Sequence, residues 1–250
     1  MHSIKFYLAI LFICFETFSA HADEAISVKL GYASLTATGN ISATALGITG
    51  TTLSDAALGL KRSNNITAEA ALQYGDGRLS VAYLPLKFSG SSTLTAPVNF
   101  NGQLFAAGPV ISKLKADIYD IGYTYYLVNM DDLPSRLQLG IEVALKYIRT
   151  DTTLSTTVLS QTSSATVPVP TIGARGRVSL ADFIGISGRV GYIGYAKNHF
   201  LDVDAQIEFS PIPTLGIYGG YRYMDVKVNS SGVLVDAKFT GPYAGAFFRF

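Results

Sequence analysis

From Asp23 onward, apolar and polar residues alternate with a period of two, in segments of about ten residues separated by turn-forming residues. In LDVDAQIEFS, Leu201, Val203, Ala205, Ile207 and Phe209 alternate with Asp202, Asp204, Gln206, Glu208 and Ser210. In RLQLGIEVALKY the same alternation runs from Arg136 to Lys146 and is broken only by Ala144. Successive side chains of a strand point to opposite faces, so each segment has one apolar and one polar face. Segments of this kind cover residues 26–35, 65–74, 79–88, 115–128, 136–148, 171–180, 184–195, 201–210, 215–228 and 239–250. Pro85 interrupts the third, where the alternation changes phase; a proline that cannot donate a ladder hydrogen bond belongs at an edge or a bulge, and the phase change favours a bulge.

The connections also alternate. Residues 75–77, 129–135, 181–183 and 211–214 are short links, while 36–64, 89–114 and 149–170 are long and 229–238 is intermediate. Only 196–200 is short where a long link is expected. Short turns at one end and long loops at the other describe an up-and-down antiparallel sheet closed into a transmembrane β-barrel, with about ten strands and eight as the alternative count. A soluble sandwich alternates as well. It gives no reason, however, for 15 tyrosines gathered near strand ends, among them Tyr123, Tyr125, Tyr126, Tyr192, Tyr195, Tyr218, Tyr221 and Tyr223. Aromatic girdles belong at membrane–water boundaries.

Composition narrows this further. Charged residues are 15% of the chain, glycines number 24 and mean hydropathy is +0.30, yet apolar residues are dispersed and no long apolar run follows the N-terminus. The first residues carry Lys5, the apolar stretch FYLAILFICF and the Ala20-His21-Ala22 site, which reads as a signal peptide over 1–22 ahead of a barrel domain over 23–250. Cys14 is the one cysteine and lies in that leader, so the mature chain has neither disulfide nor thiol nucleophile. The net charge of +1 gives no electrostatic support for nucleic acid.

The chain ends in GPYAGAFFRF, with Ala244, Ala246, Phe248 and Phe250 in one phase. This ending resembles the C-terminal signature of bacterial outer-membrane β-barrel proteins, and the mature chain is similar in pattern to small single-chain barrels such as the OmpA-like and OmpW-like groups. That resemblance implies a porin-like fold in the Gram-negative outer membrane after signal cleavage. It also implies lipid and lipopolysaccharide as surroundings, and Phe248 and Phe250 as the mark read by the barrel-assembly machinery.

With apolar residues facing lipid, the other phase lists the lumen. It holds Lys29, Lys146, Arg175, Arg177, Arg189, Arg222 and Arg249, and Glu69, Asp120, Glu142, Asp202, Asp204 and Glu208. These near-balanced charges fit two readings: a salt-bridged plug with a structural or surface-contact role, or a narrow channel for small or apolar solutes. Phe247 also falls in the lumen phase, where it would help to close the bore. A lipid-modifying hydrolase is a third reading with little behind it. His199 is the one histidine beyond the leader, with Lys197 and Leu201 flanking it at two residues' distance and Asp202 as the acid within reach. Asp202 and Asp204 suggest an acid pair or a calcium site less than they suggest partners for Arg177, Arg189 or Arg222. Gly216, Gly219 and Gly220 form no phosphate loop and are expected to permit close packing. The reading is therefore not an enzyme, with no catalytic, cofactor or metal site. The long loops 89–112 and 152–170 carry no charge and are expected to extend strands above the membrane.

Deleting Phe250, or replacing it with a polar residue, is expected to reduce outer-membrane insertion while signal cleavage continues. Fractionation of expressing cells checks this, and normal insertion of both variants contradicts it.

Overall fold

The computed structural model describes residues 26–43, 53–54, 58–130, 136–196, 198–212, 214–230 and 233–250; the signal peptide and residues 131–135 of one turn lie outside them. Thirteen strands follow in chain order. They are β1 (Ile26–Ala43), β2 (Leu53–Ser54), β3 (Ser63–Tyr74), β4 (Gly77–Leu94), β5 (Val98–Phe100), β6 (Gln103–Phe105) and β7 (Gly108–Met130). The rest are β8 (Leu137–Ser155), β9 (Ser160–Ala181), β10 (Ile184–Tyr195), β11 (Asn198–Ile212), β12 (Leu215–Ser230) and β13 (Val233–Arg249). Ten of them, β1, β3, β4 and β7 to β13, pair antiparallel with their neighbours, and β13 pairs back on β1 to close a ten-stranded barrel. Closure leaves the membrane-embedded sheet no unpaired edge. Ile26 and Phe250 exchange backbone hydrogen bonds at the end that carries the short turns, which is the periplasmic end.

Strands extend well beyond the ten segments because the long connections 89–114 and 149–170 are mostly sheet. β4 and β7 pair up to Leu94↔Gly108, and β8 and β9 pair up to Ser155↔Ser160. Between β4 and β7, β5 and β6 form a small hairpin turned by Asn101 and Gly102, both at positive φ (50° and 79°) as a two-residue hairpin turn requires.

One level divides the barrel. Along β7 the inward residues are Val110, Leu114, Ala116 and Ile118 in the upper part and Asp120, Thr124 and Tyr126 in the lower. The outward residues are Lys113, Lys115 and Asp117 above, and Tyr119, Ile121, Tyr123, Tyr125 and Leu127 below. β8 inverts between Tyr147 and Arg149 on its outer face, β12 between Tyr223 and Asp225. The phase does not change at this level; the chemistry of the two faces does, because the medium outside changes from hydrocarbon to water. Tyr83, Tyr119 and Tyr147 are register partners on adjacent strands, and Tyr83 stacks on Tyr119 with ring centroids 5.0 Å apart. They mark the outer membrane boundary, as tyrosines at an interface do. Phe183, Phe209, Phe248 and Phe250 face outward near the periplasmic end.

This inversion corrects the reading of Pro85. β4 keeps continuous register with β7 through Pro85↔Asp117, so no bulge is present. Instead β3 and β4 part above Ala68↔Tyr83. Lys87 N–H, on the same side of β4 as the Pro85 nitrogen, donates to Ser63 Oγ at 2.8 Å, and Lys61 N–H donates to the Ser89 carbonyl at 3.0 Å. Pro85 sits where the ladder is interrupted, and its missing N–H leaves no rung unmade.

The division predicts opposite responses to one substitution. Val143→Arg, at an exposed lipid-facing position of β8, is expected to cost about 2–4 kcal/mol of folding free energy, whereas Ser89→Arg on the outer face above the tyrosines costs about 0–1 kcal/mol. Urea unfolding in lipid vesicles measures both, and equal costs would contradict the placement of the boundary.

Candidate functional site

The charged lumen is built by the whole circumference. Every barrel strand contributes at least one inward charge: Lys29 from β1, Glu69 from β3, Arg78 from β4, Asp120 from β7, Glu142 and Lys146 from β8, Arg175 and Arg177 from β9, Arg189 from β10, Asp202, Asp204 and Glu208 from β11, Arg222 from β12 and Arg249 from β13. Period-two alternation puts them inside, and their number makes the lower interior a connected ionic layer.

Asp202 is the centre of that layer and is almost fully buried. It receives Arg222 through Nε at 3.0 Å and Nη2 at 2.8 Å, Arg189 Nη2 at 3.3 Å and Lys146 Nζ at 3.0 Å. Lys146 and Arg189 also reach Asp120, the latter at 2.8 Å, so both bridge two carboxylates from opposite sides of the layer. Glu142 accepts Arg175 Nε at 2.7 Å and the Thr124 hydroxyl at 3.0 Å. Nearer the periplasm, Glu208 gathers Lys29 at 3.0 Å, Arg177 at 3.4 Å and Arg249, with the Gln206 amide at 2.6 Å. Arg78 pairs with Glu69 at 3.1 Å. Asp204 lines a void beside Arg222 and Tyr243. Buried ions are tolerable only when paired and hydrogen-bonded in this way.

Aromatic rings complete the filling. Phe247 is fully buried, with the Arg249 guanidinium 4.0 Å from its ring centre. A side chain at Gly216 would overlap the Phe247 ring, and one at Gly220 would overlap Tyr243, so these glycines make room for aromatics that block the bore. Among the described residues the lumen keeps small voids of about 80 Å³ beside Asp204 and about 40 Å³ beside Glu208, and a wider recess of about 440 Å³ opens at the periplasmic mouth around Arg136, Arg177 and Arg249.

Above the ionic layer the interior is apolar. Leu35, Leu84, Leu86, Phe88, Leu114, Ile118, Met224 and Phe239 pack into one buried cluster, with Phe88 and Phe239 ring centres 5.7 Å apart. A second cluster, including Leu58, Leu94, Phe100, Phe105, Val110 and Leu154, joins the β5–β6 hairpin to the strand tops. On the outer face at this level, burial works against the charge of Asp117, but hydrogen bonds from Lys115 and Tyr83 outweigh it and hold the carboxyl below its usual range.

Compared with the sequence reading, all twelve residues of the charge network and Arg249 face inward. Arg78 was missed because residues next to Gly77 read as turn; its phase with Ser80 and Ala82 is the signal that finds it. Tyr126 and Tyr218, grouped by sequence with the girdle tyrosines, point into the lumen and are buried. Arg177 serves Glu208 rather than Asp202. His199 faces outward, away from Asp202, and its Nε2 lies 3.3 Å from Asp225 Oδ1. Among the described residues no group of three or more His, Cys, Asp or Glu is arranged to hold a metal ion. Phe248 and Phe250 lie on the lipid face with ring centres 4.4 Å apart.

No protein-family model and no curated protein matches this chain. Among solved structures it is similar to the outer membrane protease OmpT from Escherichia coli, at 12% identity over 94% of this chain and 99% of that one, with a TM-score of 0.57. It is also similar to the translocator domain of the autotransporter NalP from Neisseria meningitidis, at 10% identity over 99% and 95% of the two chains with a TM-score of 0.44. A third is Neisserial surface protein A, at 12% identity over 92% and 100% with a TM-score of 0.40. At 12% identity the likeness to OmpT is one of fold. The chain is a bacterial outer-membrane β-barrel: closed, antiparallel and ten-stranded, with its apolar belt in the membrane.

Asp202→Ala is expected to destabilise the barrel by about 3–5 kcal/mol, because it leaves Arg222, Arg189 and Lys146 sharing too few carboxylates. Equilibrium unfolding in urea checks this. A loss under about 1 kcal/mol would mean that water already compensates these charges.

Proposed function

We propose that this protein is a non-enzymatic, non-conducting barrel whose role is to present an extracellular surface for contact. The observation that carries this reading is that the described residues fill the interior above the periplasmic recess in three successive levels: an ion-paired layer within the membrane, an apolar cluster above it and the β5–β6 hairpin on top. A conduit for water-soluble solutes needs a continuous wetted path, and the apolar cluster offers none. A conduit for apolar solutes would have to pass the ionic layer, where desolvated charges oppose entry.

The outer surface supports the second half of the proposal. β8 and β9 rise as a hairpin whose outward face carries Thr153, Thr162, Ser164 and Thr166, and whose tip exposes Val158. Above Ile172, among the described residues, the uncharged part of β9 pairs with β8 and not with β10, apart from the Asn101 amide donating to the Thr162 carbonyl, which leaves backbone on its other side for strand addition. Lower down, Lys87, Lys113, Lys115 and Arg149 face outward just above the tyrosine row, at the level of outer-leaflet phosphates, and fit lipopolysaccharide as the surrounding lipid. Contact of the C-terminal strand with the assembly machinery belongs to the same proposal. OmpT is a protease, but here His199 and Asp225 lie on the outer wall with Tyr223 and Lys238 as neighbours, which supports an ion pair rather than a catalytic cleft.

In planar bilayers the purified, refolded protein is expected to give no conductance steps, and Phe88→Ala/Phe239→Ala combined with Lys146→Ala is expected to introduce them. Steps from the unmodified protein would overturn the closed-lumen reading in favour of the channel. Removal of residues 154–161 is expected to abolish surface adhesion or autoaggregation without affecting insertion; unchanged cell behaviour would argue against the contact role.

A further inference from the structure

We propose that the outer wall of β4, β7 and β8 is a binding site for one phosphorylated lipid of the outer leaflet, held through its phosphate groups. The site rests on the reading of lipopolysaccharide as the surrounding lipid, and on neither the closed lumen nor the contact role. Lys87, Lys113, Lys115 and Arg149 are exposed on the outer face of these strands. Lys61 joins them: Leu60 bridges Gly90 and packs inward on the apolar cluster, so Lys61, beside Ser89, is in the outward phase and exposed. The five stand two to six residues along their strands above the level of Tyr83, Tyr119 and Tyr147. At about 3.3 Å per residue and a tilt of about 40°, that is about 5–15 Å above the hydrocarbon boundary, the zone of headgroups and of sugars attached to them. Directly beneath, Tyr119, Ile121, Leu145 and Tyr147 face lipid on the same strands, so acyl chains below a bound head have a wall to lie on. That favours a lipid over a soluble polyanion.

Charge and register point to phosphate. Against the five cations this face carries two carboxylates among the described residues, Asp117 and Asp151. Asp117 takes Lys115 at 2.8 Å and the Tyr83 hydroxyl at 2.7 Å, and Asp151 takes the Ser164 hydroxyl at 2.6 Å. Among the described residues Lys115 is the one cation of the five with an ion pair. Lys87 and Lys115 are direct register partners, and Lys113 lies diagonally from Lys87 on the same face. Such neighbours have Cβ atoms about 5 Å apart when opposite and about 7–8 Å when diagonal, and like charges placed so repel. One phosphate between the three ammonium groups replaces that repulsion with charge-assisted hydrogen bonds. Arg149, diagonal to Lys115 on the other side, offers a second phosphate a planar fork. The wall of β12 and β13 is different at this level. There Lys227 pairs with Asp236 at 3.2 Å and Lys238 with Asp225 at 3.7 Å, two cations for two carboxylates. The cationic excess belongs to one wall of the barrel.

The refolded, full-length mature protein is heated in phosphatidylcholine vesicles alone, with diphosphorylated lipid A, with lipid A stripped of its phosphates, and with inorganic phosphate at equal ionic strength. Diphosphorylated lipid A is expected to raise Tm by about 5 °C and to saturate, and the other two additions to leave it unchanged. Lys87→Gln/Lys113→Gln is expected to need about thirty-fold more lipid A for the same shift. Its Tm in plain vesicles is not expected to fall, because a like-charge pair is removed. Lys227→Gln/Lys238→Gln is expected to keep the full response. An undiminished response in Lys87→Gln/Lys113→Gln, an equal loss in Lys227→Gln/Lys238→Gln, or an equal shift from inorganic phosphate would each overturn the proposal. Equal stabilisation by both forms of lipid A would overturn it and leave lipopolysaccharide as the surrounding lipid, whereas no effect of either form would overturn both.

Discussion

A β-strand has two faces, and in a closed barrel one of them must meet whatever lies outside. Below the tyrosine row that medium is hydrocarbon, so polar groups are driven inward; above it the medium is water, so apolar groups take their place. The same strands serve both regimes without a change of phase, as β7 does when Ile118 and Tyr119 hand over to Asp120 and Ile121. The rest of the architecture follows from this constraint. The ionic layer exists because lipid excludes its members from the outer face, and the apolar cluster exists because water excludes its members from theirs.

The ionic layer is a network rather than a set of pairs. Lys146 spans two carboxylates and Arg189 three, and with Arg175 and Arg222 they tie Asp120, Glu142 and Asp202 together across six consecutive strands, β7 to β12. Such a layer fixes strand register independently of lipid contacts, because a one-residue slip would turn every charge toward hydrocarbon. Among the described residues a ten-stranded barrel, wider than the eight-stranded ones that side chains fill easily, is filled by its own inward side chains. Arginines, tyrosines and Phe247 reach far enough to meet across it.

The strand set, the closed barrel and the inward phase of the charges were legible because alternation is imposed residue by residue in the membrane. What escaped was where the environment changes along a strand. At Pro85 the switch from Tyr83 outward to Leu84 and Leu86 inward looked like a bulge, since sequence shows which phase is apolar but not which medium that phase meets. The loops 89–114 and 149–170 were expected to extend the strands above the membrane, but which of their residues turn inward was hidden for the same reason: their apolar residues face a water-excluded interior that no single strand reveals. The Asn101-Gly102 pair was a readable hairpin signal hidden inside a segment assigned to loop. Pairing within the lumen was legible only in part: Arg189 and Arg222 were offered as partners of Asp202 and meet it, whereas Arg177 does not. Nothing local connects Arg177 to Glu208 or His199 to Asp225; barrel closure and strand stagger do.

The inversion at the tyrosine row also splits the thermodynamics of the molecule. Residues such as Leu86, Phe88 and Phe239 leave water when the extracellular half folds, so that half carries the large heat-capacity change of a water-soluble core. The lipid-facing residues of the lower half remain among hydrocarbon neighbours whether bilayer or detergent supplies them, while its charges leave water for one another. Curvature of stability with temperature therefore originates outside the membrane, and sensitivity to ionic conditions within it: two halves of one continuous sheet, with different calorimetric characters.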